Sequence, residues 1–309
     1  MRSSAGLMIH ENAPLSRYTR FEVGGPARVL ADATAEPALI EALREIRESG
    51  EPHTVMGGGT NLVAADEGYA GVVLRYTNSS IEFAGTTVRV AAGAVLQDLV
   101  DASIAHGLKG LETMTGIPGW LGGAVYGNAG AYGHSIHERI SGVRYLAGEC
   151  VHEIGNAACG FAYRESVFKR RKDWIVLSAT LQLESADADE LRAAAAGVLK
   201  IRNQKYPPAM RCAGSIFKNL LWADLSAAVR TQVPAAVVRE GKVPSAYFLE
   251  QAGAKGLVRG RIRVADYHAN LIYNEGGGTA REVRELIADL KRRVHECFGL
   301  GLEEEVQYV

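Results

Sequence analysis

Eighteen residues, Gly116–Gly133 (GIPGWLGGAVYGNAGAYG), contain seven glycines and one proline and constrain the fold more than any other part of the chain. Glycine and proline weaken both regular secondary structures, so this segment cannot be one helix or one strand throughout. Flexible linkers are polar and rich in Gly and Ser. Here large apolar side chains such as Trp120 and Leu121 interrupt the glycines, which indicates an ordered loop whose backbone is shaped around a flat ligand.

A second glycine run, Gly57–Gly59, follows a predicted strand in VMGGGTNLV. Glycines that adopt positive φ can turn successive N–H groups to one side and form a nest for an anion such as a diphosphate. The run lacks the G-K-[ST] of a P-loop and the G-x-G-x-x-G of a Rossmann fold. A tight strand turn explains it equally well when it is taken alone. Together, the two glycine-rich segments suggest a nucleotide or dinucleotide held by backbone amides.

The charge balance excludes several classes of partner. Lys and Arg number 34 against 35 Asp and Glu, which gives a formal net charge of -1 and argues against an electrostatic nucleic-acid or membrane binder. The first 18 residues lack the apolar run of a signal peptide, and nowhere do 18 apolar residues follow one another. We therefore expect neither a secreted nor a membrane-spanning protein.

The cysteines and histidines suggest neither a disulfide framework nor a metal site. The four cysteines show no C-x-x-C spacing, which fits a reduced cytoplasmic protein. Of the eight histidines only His134 and His137 lie close together, and no acidic cluster joins them at metal-ligand spacing. We expect a protein without a metal, and a monomer.

Strand and helix patterns alternate and predict an α+β fold. Near the N-terminus a strand over Ala27–Ala33 precedes a helix over Glu36–Ser49, with Thr34 as its N-cap and Gly50 as its stop. The prolines that follow Lys205 predict a hinge. We accordingly divide the chain into two subdomains, residues 1–78 and 79–205, and a third domain, residues 206–309.

The C-terminal part contains the best-defined helix. Thr279 and Glu282 form a capping box, Gly299 supplies the stop, and an apolar stripe runs between them as far as Cys297 and Phe298. A final strand is predicted over residues 302–309 (LEEEVQYV).

Two short motifs contain candidate reactive groups. In AYRESVF, Arg164 lies between Tyr163 and Glu165, although a single arginine is more often an ion-paired surface group. In GSIFKN, Ser215 precedes Lys218 and Asn219, although a serine here is also a common turn or cap residue. The G-x-S-x-G elbow of serine hydrolases is missing from the sequence.

Five motifs in this order, GGGTN, GIPGWLGGAVYGNAGAYG, YRESVFK, AGSIFKN and LEEEV, resemble those of the UDP-N-acetylenolpyruvoylglucosamine reductase family of bacterial peptidoglycan synthesis. The resemblance spans nearly the whole chain. It implies an FAD-binding fold of the vanillyl-alcohol-oxidase type, made of two α+β subdomains, with a C-terminal α+β substrate domain. It also implies a cytoplasmic enzyme in which NADPH reduces FAD, and hydride then passes to UDP-N-acetylglucosamine-enolpyruvate to give UDP-N-acetylmuramate.

The resemblance assigns roles residue by residue. The family's catalytic arginine, serine and glutamate fall on Arg164, Ser215 and Glu305, and Lys218, Asn219 and Lys255 resemble substrate-contacting positions. The FAD-binding positions fall in the two glycine-rich segments, on Gly57, Gly58, Gly59, Thr60, Asn61, Gly116, Ile117, Gly119, Gly122, Gly123, Ala124, Asn128, Gly130, Ala131 and Tyr132.

The chain departs from the family pattern at its C-terminus. The motif usually reads L-E-P-E-V-R, and here Glu304 replaces the proline and Gln307 the arginine. Assigning the acid to Glu305 rather than Glu304 rests on alignment alone. Because successive strand residues point to opposite faces, only one of the two can face a substrate.

Two other functions stay open at this point. One is a different flavoprotein of the same fold, such as an oxidase of sugars or lactones, although such an enzyme has no need of a carbon-protonating hydroxyl like that of Ser215. The other is a non-catalytic sensor of a flavin or a nucleotide sugar, which the changes at Glu304 and Gln307 would allow.

Overall fold

The computed structural model describes residues 5–309. The expectation that the first 18 residues form no signal peptide therefore lies outside the described residues for residues 1–4. The chain divides into two compact units. The first unit contains the described residues up to Ala13, together with Ala27–Gly59 and Ala70–Pro207. The second unit contains Pro14–Pro26, Thr60–Tyr69 and Pro208–Val309.

Eight α-helices lie in the part of the chain that the structure describes. They are α1 (Glu36–Ser49), α2 (Leu96–Ala105), α3 (Leu121–Tyr126), α4 (Val167–Arg170), α5 (Ala188–Lys205), α6 (Ala227–Arg230), α7 (Ser245–Gln251) and α8 (Ala280–Phe298).

Twenty strands, many of them only two residues long, accompany the helices over residues 5–309. They are β1 (Leu7–Pro14), β2 (Pro26–Ala33), β3 (His53–Val55), β4 (Leu62–Val63), β5 (Tyr69–Tyr76), β6 (Ile81–Ala84), β7 (Thr87–Ala91), β8 (Leu108–Lys109), β9 (Gly130–Ala131), β10 (His134–Ser135), β11 (Ile140–Ala147), β12 (Cys150–Gly155), β13 (Trp174–Gln182), β14 (Glu184–Ser185), β15 (Leu220–Leu221), β16 (Lys242–Val243), β17 (Val258–Arg259), β18 (Ile262–Ala265), β19 (His268–Asn274) and β20 (Gln307–Tyr308). Helices and sheets together confirm the predicted α+β class.

The first unit is built on two sheets. One has the strand order β1-β2-β5-β3, and the other has the antiparallel order β12-β11-β13-β7-β6. Apolar residues of both sheets share one buried cluster with α1 and α2, including Leu39, Leu74, Leu99 and Leu181. The short helix α3, which lies inside the glycine-rich segment, packs against β13 and β7. The second sheet thereby carries that segment on a rigid support.

The second unit is built around a three-stranded antiparallel sheet of order β17-β18-β19. Helix α8 lies against β17 and β18, and α7 lies against β19. The predicted capping box of Thr279 and Glu282 is present, and Gly299 ends α8 in the left-handed conformation, with φ 66°. Five residues of the predicted apolar stripe of α8 are buried: Val283, Leu286, Ile287, Leu290 and Val294.

The structure corrects three local predictions. Ala35, not Thr34, is the N-cap residue of α1, because the Thr34 hydroxyl donates instead to the Gly6 carbonyl at 3.2 Å. Cys297 is exposed and is not part of the apolar face. The final strand is only β20, because within residues 302–306 Glu304 alone forms a bridge, to Phe217, and no ladder continues from it.

Candidate active site

The glycine-rich segment of the first unit is tied to the end of β7 by its own backbone. The amides of Leu121 and Gly122 donate to the carbonyls of Ala94 and Ala92, both at 2.8 Å, and the Gly119 carbonyl accepts from Leu96 at 2.9 Å. Gly119 has a φ of 118°, a conformation that side chains rarely adopt. The segment is therefore a defined loop with a helical turn inside it, as the sequence indicates.

Two glycines of the glycine-rich segments, Gly57 and Gly123, are required neither by backbone conformation nor by packing. At Gly57 and Gly123 an added Cβ would find open space within 4 Å, apart from the adjoining residues and, at Gly123, the backbone of α3 itself, and neither residue has positive φ. Open space is also present at Gly197 of α5, so it is the place of Gly57 and Gly123 in the two glycine-rich segments that points to a ligand. The open space at these two positions fits a flat cofactor that lies against the backbone. This is the arrangement expected for FAD at the predicted site.

Arg164 occupies a strained turn beside the glycine-rich segment. Ala162 and Glu165 exchange backbone hydrogen bonds of 3.0 and 3.1 Å, which leaves Tyr163 and Arg164 at the tip. Arg164 has a φ of 58°, which costs a non-glycine residue about 1–3 kcal/mol. Its guanidinium donates to the Gly130 carbonyl at 3.1 Å and lies over the Tyr163 ring.

Buried polar side chains hold the Arg164 turn in place. The side-chain amide of Asn128, itself buried, donates to the Ala162 carbonyl at 2.9 Å. The Ser166 hydroxyl donates to the Tyr126 carbonyl at 2.7 Å, and Lys169 Nζ donates to the Arg164 carbonyl at 2.9 Å. Asn128, predicted as a cofactor-binding residue, thus joins the glycine-rich segment to the Arg164 turn.

Ser215 belongs to the second unit, where a buried asparagine fixes its neighbours. Ile216 donates to the Asn270 carbonyl at 3.1 Å, and Phe217 donates to Asn270 Oδ1 at 2.9 Å. Asn270 Nδ2 in turn donates to the Phe217 carbonyl at 2.8 Å and to Ser245 Oγ at 2.7 Å. Ser215 itself stays half-buried beside this anchor. Sequence reasoning missed Asn270, because nothing in a strand such as NLIYN marks its first residue as an anchor.

The structure brings Ser215 and Glu305 onto adjacent segments of the second unit. The Glu305 amide donates to the carbonyl of Ile216, the residue after Ser215, at 2.7 Å. The side-chain amide of Asn61 donates to the Glu305 carbonyl at 2.9 Å. Asn61, predicted to bind the cofactor, therefore also positions the backbone of the predicted acid.

The Glu304 carboxylate is bound by two neighbouring side chains. Glu304 Oε1 accepts from Lys291 Nζ of α8 at 2.9 Å, and Glu304 Oε2 accepts from the Tyr308 hydroxyl. Burial, followed by the hydrogen bond to Glu304, raises the pKa of the Tyr308 phenol, so Tyr308 remains a donor at neutral pH. The Glu304 carboxylate is thus bound by Lys291 of α8 and by Tyr308, and the assignment of the acid to Glu305 stays a prediction.

The predicted substrate-binding residues are divided between two places in the second unit. Lys218 is buried, and its Nζ lies 2.5 Å from Glu303 Oε1. Asn219 Oδ1 accepts from the Ser245 amide at 3.4 Å, next to the anchor of Ser215. Lys255 is exposed and pairs with Glu250 at 3.1 Å.

Two negative findings concern only the described residues. Between residues 5 and 309, no three His, Cys, Asp or Glu side chains are grouped so that they could hold a metal ion. Over the same range, the helices are all too short or too polar to cross a membrane.

Comparison with known proteins decides the family. Residues 206–309 match the family model for the C-terminal domain of UDP-N-acetylenolpyruvoylglucosamine reductase, and residues 27–150 match the FAD binding domain model. A UDP-N-acetylenolpyruvoylglucosamine reductase of Solibacter usitatus is 56% identical over 98% of this chain and 97% of its own length. The chain belongs to the UDP-N-acetylenolpyruvoylglucosamine reductase family.

More distant reductases give the same answer. The Bacillus licheniformis reductase is 33% identical over 97% of this chain and 93% of its own length. The crystal structure of the Thermus caldophilus UDP-N-acetylenolpyruvylglucosamine reductase superposes with a TM-score of 0.77 at 29% identity, and the match covers 98% of both chains. The family resemblance and the predicted FAD-binding fold with a C-terminal α+β domain are thereby confirmed. FAD is the cofactor of this protein.

Proposed function

We propose that this chain reduces UDP-N-acetylglucosamine-enolpyruvate to UDP-N-acetylmuramate, with NADPH as the reductant and FAD as the cofactor. When bound, FAD supplies the redox chemistry by accepting hydride from NADPH and delivering it to the enolpyruvyl double bond. The rest of the reaction is binding, charge stabilisation and proton transfer, for which this chain has its own residues. The open backbone at Gly57 and Gly123 is where we expect FAD to lie.

Arg164 and Glu305 are proposed to stabilise the developing charge. Hydride addition to the β-carbon of an enolpyruvyl carboxylate drives negative charge onto the carboxylate oxygens, so a fixed cation and a nearby acid lower the barrier. A guanidinium can grip a carboxylate with two parallel hydrogen bonds. The hydrogen bond from the Arg164 guanidinium to the Gly130 carbonyl supports this role, because it restricts where that guanidinium can point.

Ser215 is proposed to give the α-carbon its proton. A serine hydroxyl is a weak acid in water, but it can protonate a carbanion-like carbon when it is held within hydrogen-bond reach. The observation that carries this proposal is the anchoring of Ser215 beside Glu305, through the 2.7 Å bond from the Glu305 amide to the Ile216 carbonyl. Lys218 and Asn219 follow Ser215 in the same segment and are proposed as substrate contacts, and Lys255 as a further contact.

The Ser215→Ala variant tests the proposal. It should retain FAD, measured by the visible absorbance of the purified protein, and lose NADPH oxidation that depends on the enolpyruvyl sugar. The Ser185→Ala variant, at an exposed serine of β14, is the matched control and should turn over normally. Turnover by Ser215→Ala at the wild-type rate would remove the proton-donor role, and oxidation of sugars under air would favour the oxidase alternative.

We also infer a cytoplasmic location and a monomeric state. The substrates are nucleotide-linked metabolites, and the four cysteines are free thiols, as expected in a reducing compartment. Sedimentation of the FAD-loaded protein tests the monomer: a dimer at micromolar concentration would contradict it.

A further inference from the structure

Trp120 joins the two glycine-rich segments of the first unit. It lies at the start of α3, where its carbonyl accepts from the Ala124 amide at 3.0 Å. A Cβ built at Gly58 would lie 3.1 Å from Trp120 Cδ1 and 3.4 Å from Gly119 Cα. Such distances are tighter than ordinary contacts, so Gly58 packs directly against the indole and the backbone beside it.

A buried ion pair lies behind this contact. Asp32 on β2 and Arg75 on β5 form two parallel hydrogen bonds, Nε to Oδ1 at 2.6 Å and Nη2 to Oδ2 at 2.7 Å. Their side chains are only 7% and 14% exposed, so each charge depends on its partner. The Arg75 guanidinium carbon lies 5.4 Å from the centre of the Trp120 ring, within the range of a cation–π contact.

The chain of contacts therefore runs from Asp32 through Arg75 and Trp120 to Gly58. A bidentate pair fixes the plane of the guanidinium, and the guanidinium face fixes the indole. None of these three side chains is among the residues to which the family resemblance assigns a role. We propose that Asp32 and Arg75 are positioning residues for FAD binding: they hold Trp120 and so set the spacing between Gly57–Gly59 and Gly116–Gly133.

The inference rests on the proposed function, because it concerns how this chain holds FAD. A loop that is already in its binding conformation loses less conformational freedom when the ligand binds, so affinity rises without any new contact. Removing Arg75 should thus weaken FAD binding although Arg75 need not touch the cofactor. An ordinary structural ion pair would lower stability and leave FAD affinity unchanged.

The experiment measures FAD affinity of the apoprotein by titration of FAD fluorescence, together with the thermal unfolding temperature without FAD. Arg75→Met should raise the FAD dissociation constant by about tenfold or more. Arg75→Lys should give a smaller increase, because an ammonium keeps the charge but cannot form both parallel bonds. Arg144→Met is the matched control: Arg144 on β11 forms a comparable bidentate pair with Glu36 on α1, at 2.7 and 3.1 Å.

A double-mutant cycle separates positioning from general loss of stability. Trp120→Leu removes the ring and leaves the Asp32–Arg75 pair in place, so it tests the same contact even if Arg75→Met folds poorly. Because both variants act through one contact, the double variant should bind FAD about as weakly as the weaker single variant.

Three results would overturn the inference. The first is wild-type FAD affinity in both Arg75→Met and Trp120→Leu, and the second is a loss of FAD affinity in Arg144→Met equal to that in Arg75→Met. The third is a double variant whose FAD dissociation constant rises by the product of the two single increases, which would mean that Arg75 and Trp120 act independently. Failure of the proposed function would look different, because the FAD-loaded wild-type protein would then show no NADPH oxidation that depends on the enolpyruvyl sugar, whatever its affinity for FAD.

Discussion

At the scale of single residues, the backbone conformation of Arg164 is the most informative feature of the first unit. Non-glycine residues at positive φ store strain and persist only where the surroundings over-determine them. Here the turn between Ala162 and Glu165 and the Asn128 amide supply that support. The strain is consistent with a role of Arg164 that depends on the orientation of its guanidinium more than on its positive charge.

The Arg164→Lys variant tests this interpretation. We expect kcat to fall by about tenfold or more with FAD absorbance unchanged, because an ammonium cannot bind a carboxylate with two parallel hydrogen bonds. Arg171→Lys is the control, since Arg171 is exposed and pairs with Asp173. Steady-state kinetics with the enolpyruvyl sugar measure the effect, and an unchanged kcat for Arg164→Lys would refute the carboxylate contact.

At the scale of elements, the glycines of α3 differ from a glycine in an ordinary helix. Gly123 in α3 and Gly197 in α5 are both exposed, and at each a Cβ would find open space within 4 Å beyond its adjoining residues and the backbone of its own helix. Each is thus unfavourable for its helix by about 0.5–1 kcal/mol relative to alanine. Only Gly123 belongs to the proposed FAD-binding segment.

The pair Gly123→Ala and Gly197→Ala makes a direct comparison. Both substitutions should leave the apoprotein at least as stable as wild type in thermal unfolding, because alanine favours helix. Gly123→Ala should weaken FAD binding, since its methyl group would occupy space that we assign to the cofactor. Equal FAD affinity of the two variants in fluorescence titration would show that Gly123 does not line the site.

The start of α5 predicts a pH dependence of stability. The Asp187 carboxylate accepts from the amides of Asp189 and Glu190 at 2.8 and 3.0 Å, and these bonds, that from Glu190 foremost, lower the pKa of Asp187. A carboxyl whose folded pKa is lowered stabilises the protein fully above its unfolded pKa, about 3.9, and loses that contribution as pH falls through the folded pKa.

Asp187→Ala should therefore unfold at a lower temperature than wild type at pH 7, and the difference should narrow as pH falls below about 4. Differential scanning calorimetry at several pH values measures it. A difference that stays constant down to pH 2.5 would mean that the ionised cap contributes nothing.

Local patterns predicted local elements well. The bounds of α1 and the caps of α8 follow from proline, glycine and capping-box residues within a few positions of one another. The prediction of a strand over residues 302–309 was wrong for residues 302–306, where only Glu304 forms a bridge, to Phe217 in a distant part of the chain. Asn270 and the Asp32–Arg75 pair were missed for the same reason, since the side-chain partners that hold them lie 25 or more residues away in sequence.

At the scale of the whole molecule, the second unit is assembled from three separate stretches of chain. The Asp66 carboxylate accepts from the amides of Ala280 and Arg281 at 2.7 and 2.8 Å, and the Ala65 amide donates to the Val309 carbonyl at 2.7 Å. The predicted domain of residues 206–309 omits Pro14–Pro26 and Thr60–Tyr69, which belong to this unit. The division of the chain at residues 78 and 205 stays a prediction.

Hydride transfer is assigned to FAD and proton transfer to the chain, and an anaerobic experiment separates these two parts of the proposed reaction. NADPH added to the FAD-loaded protein without oxygen should bleach the flavin absorbance near its visible maximum. The enolpyruvyl sugar added next should restore the absorbance and yield UDP-N-acetylmuramate in equal amount. A flavin that stays reduced until oxygen is admitted, with no product formed, would contradict the account.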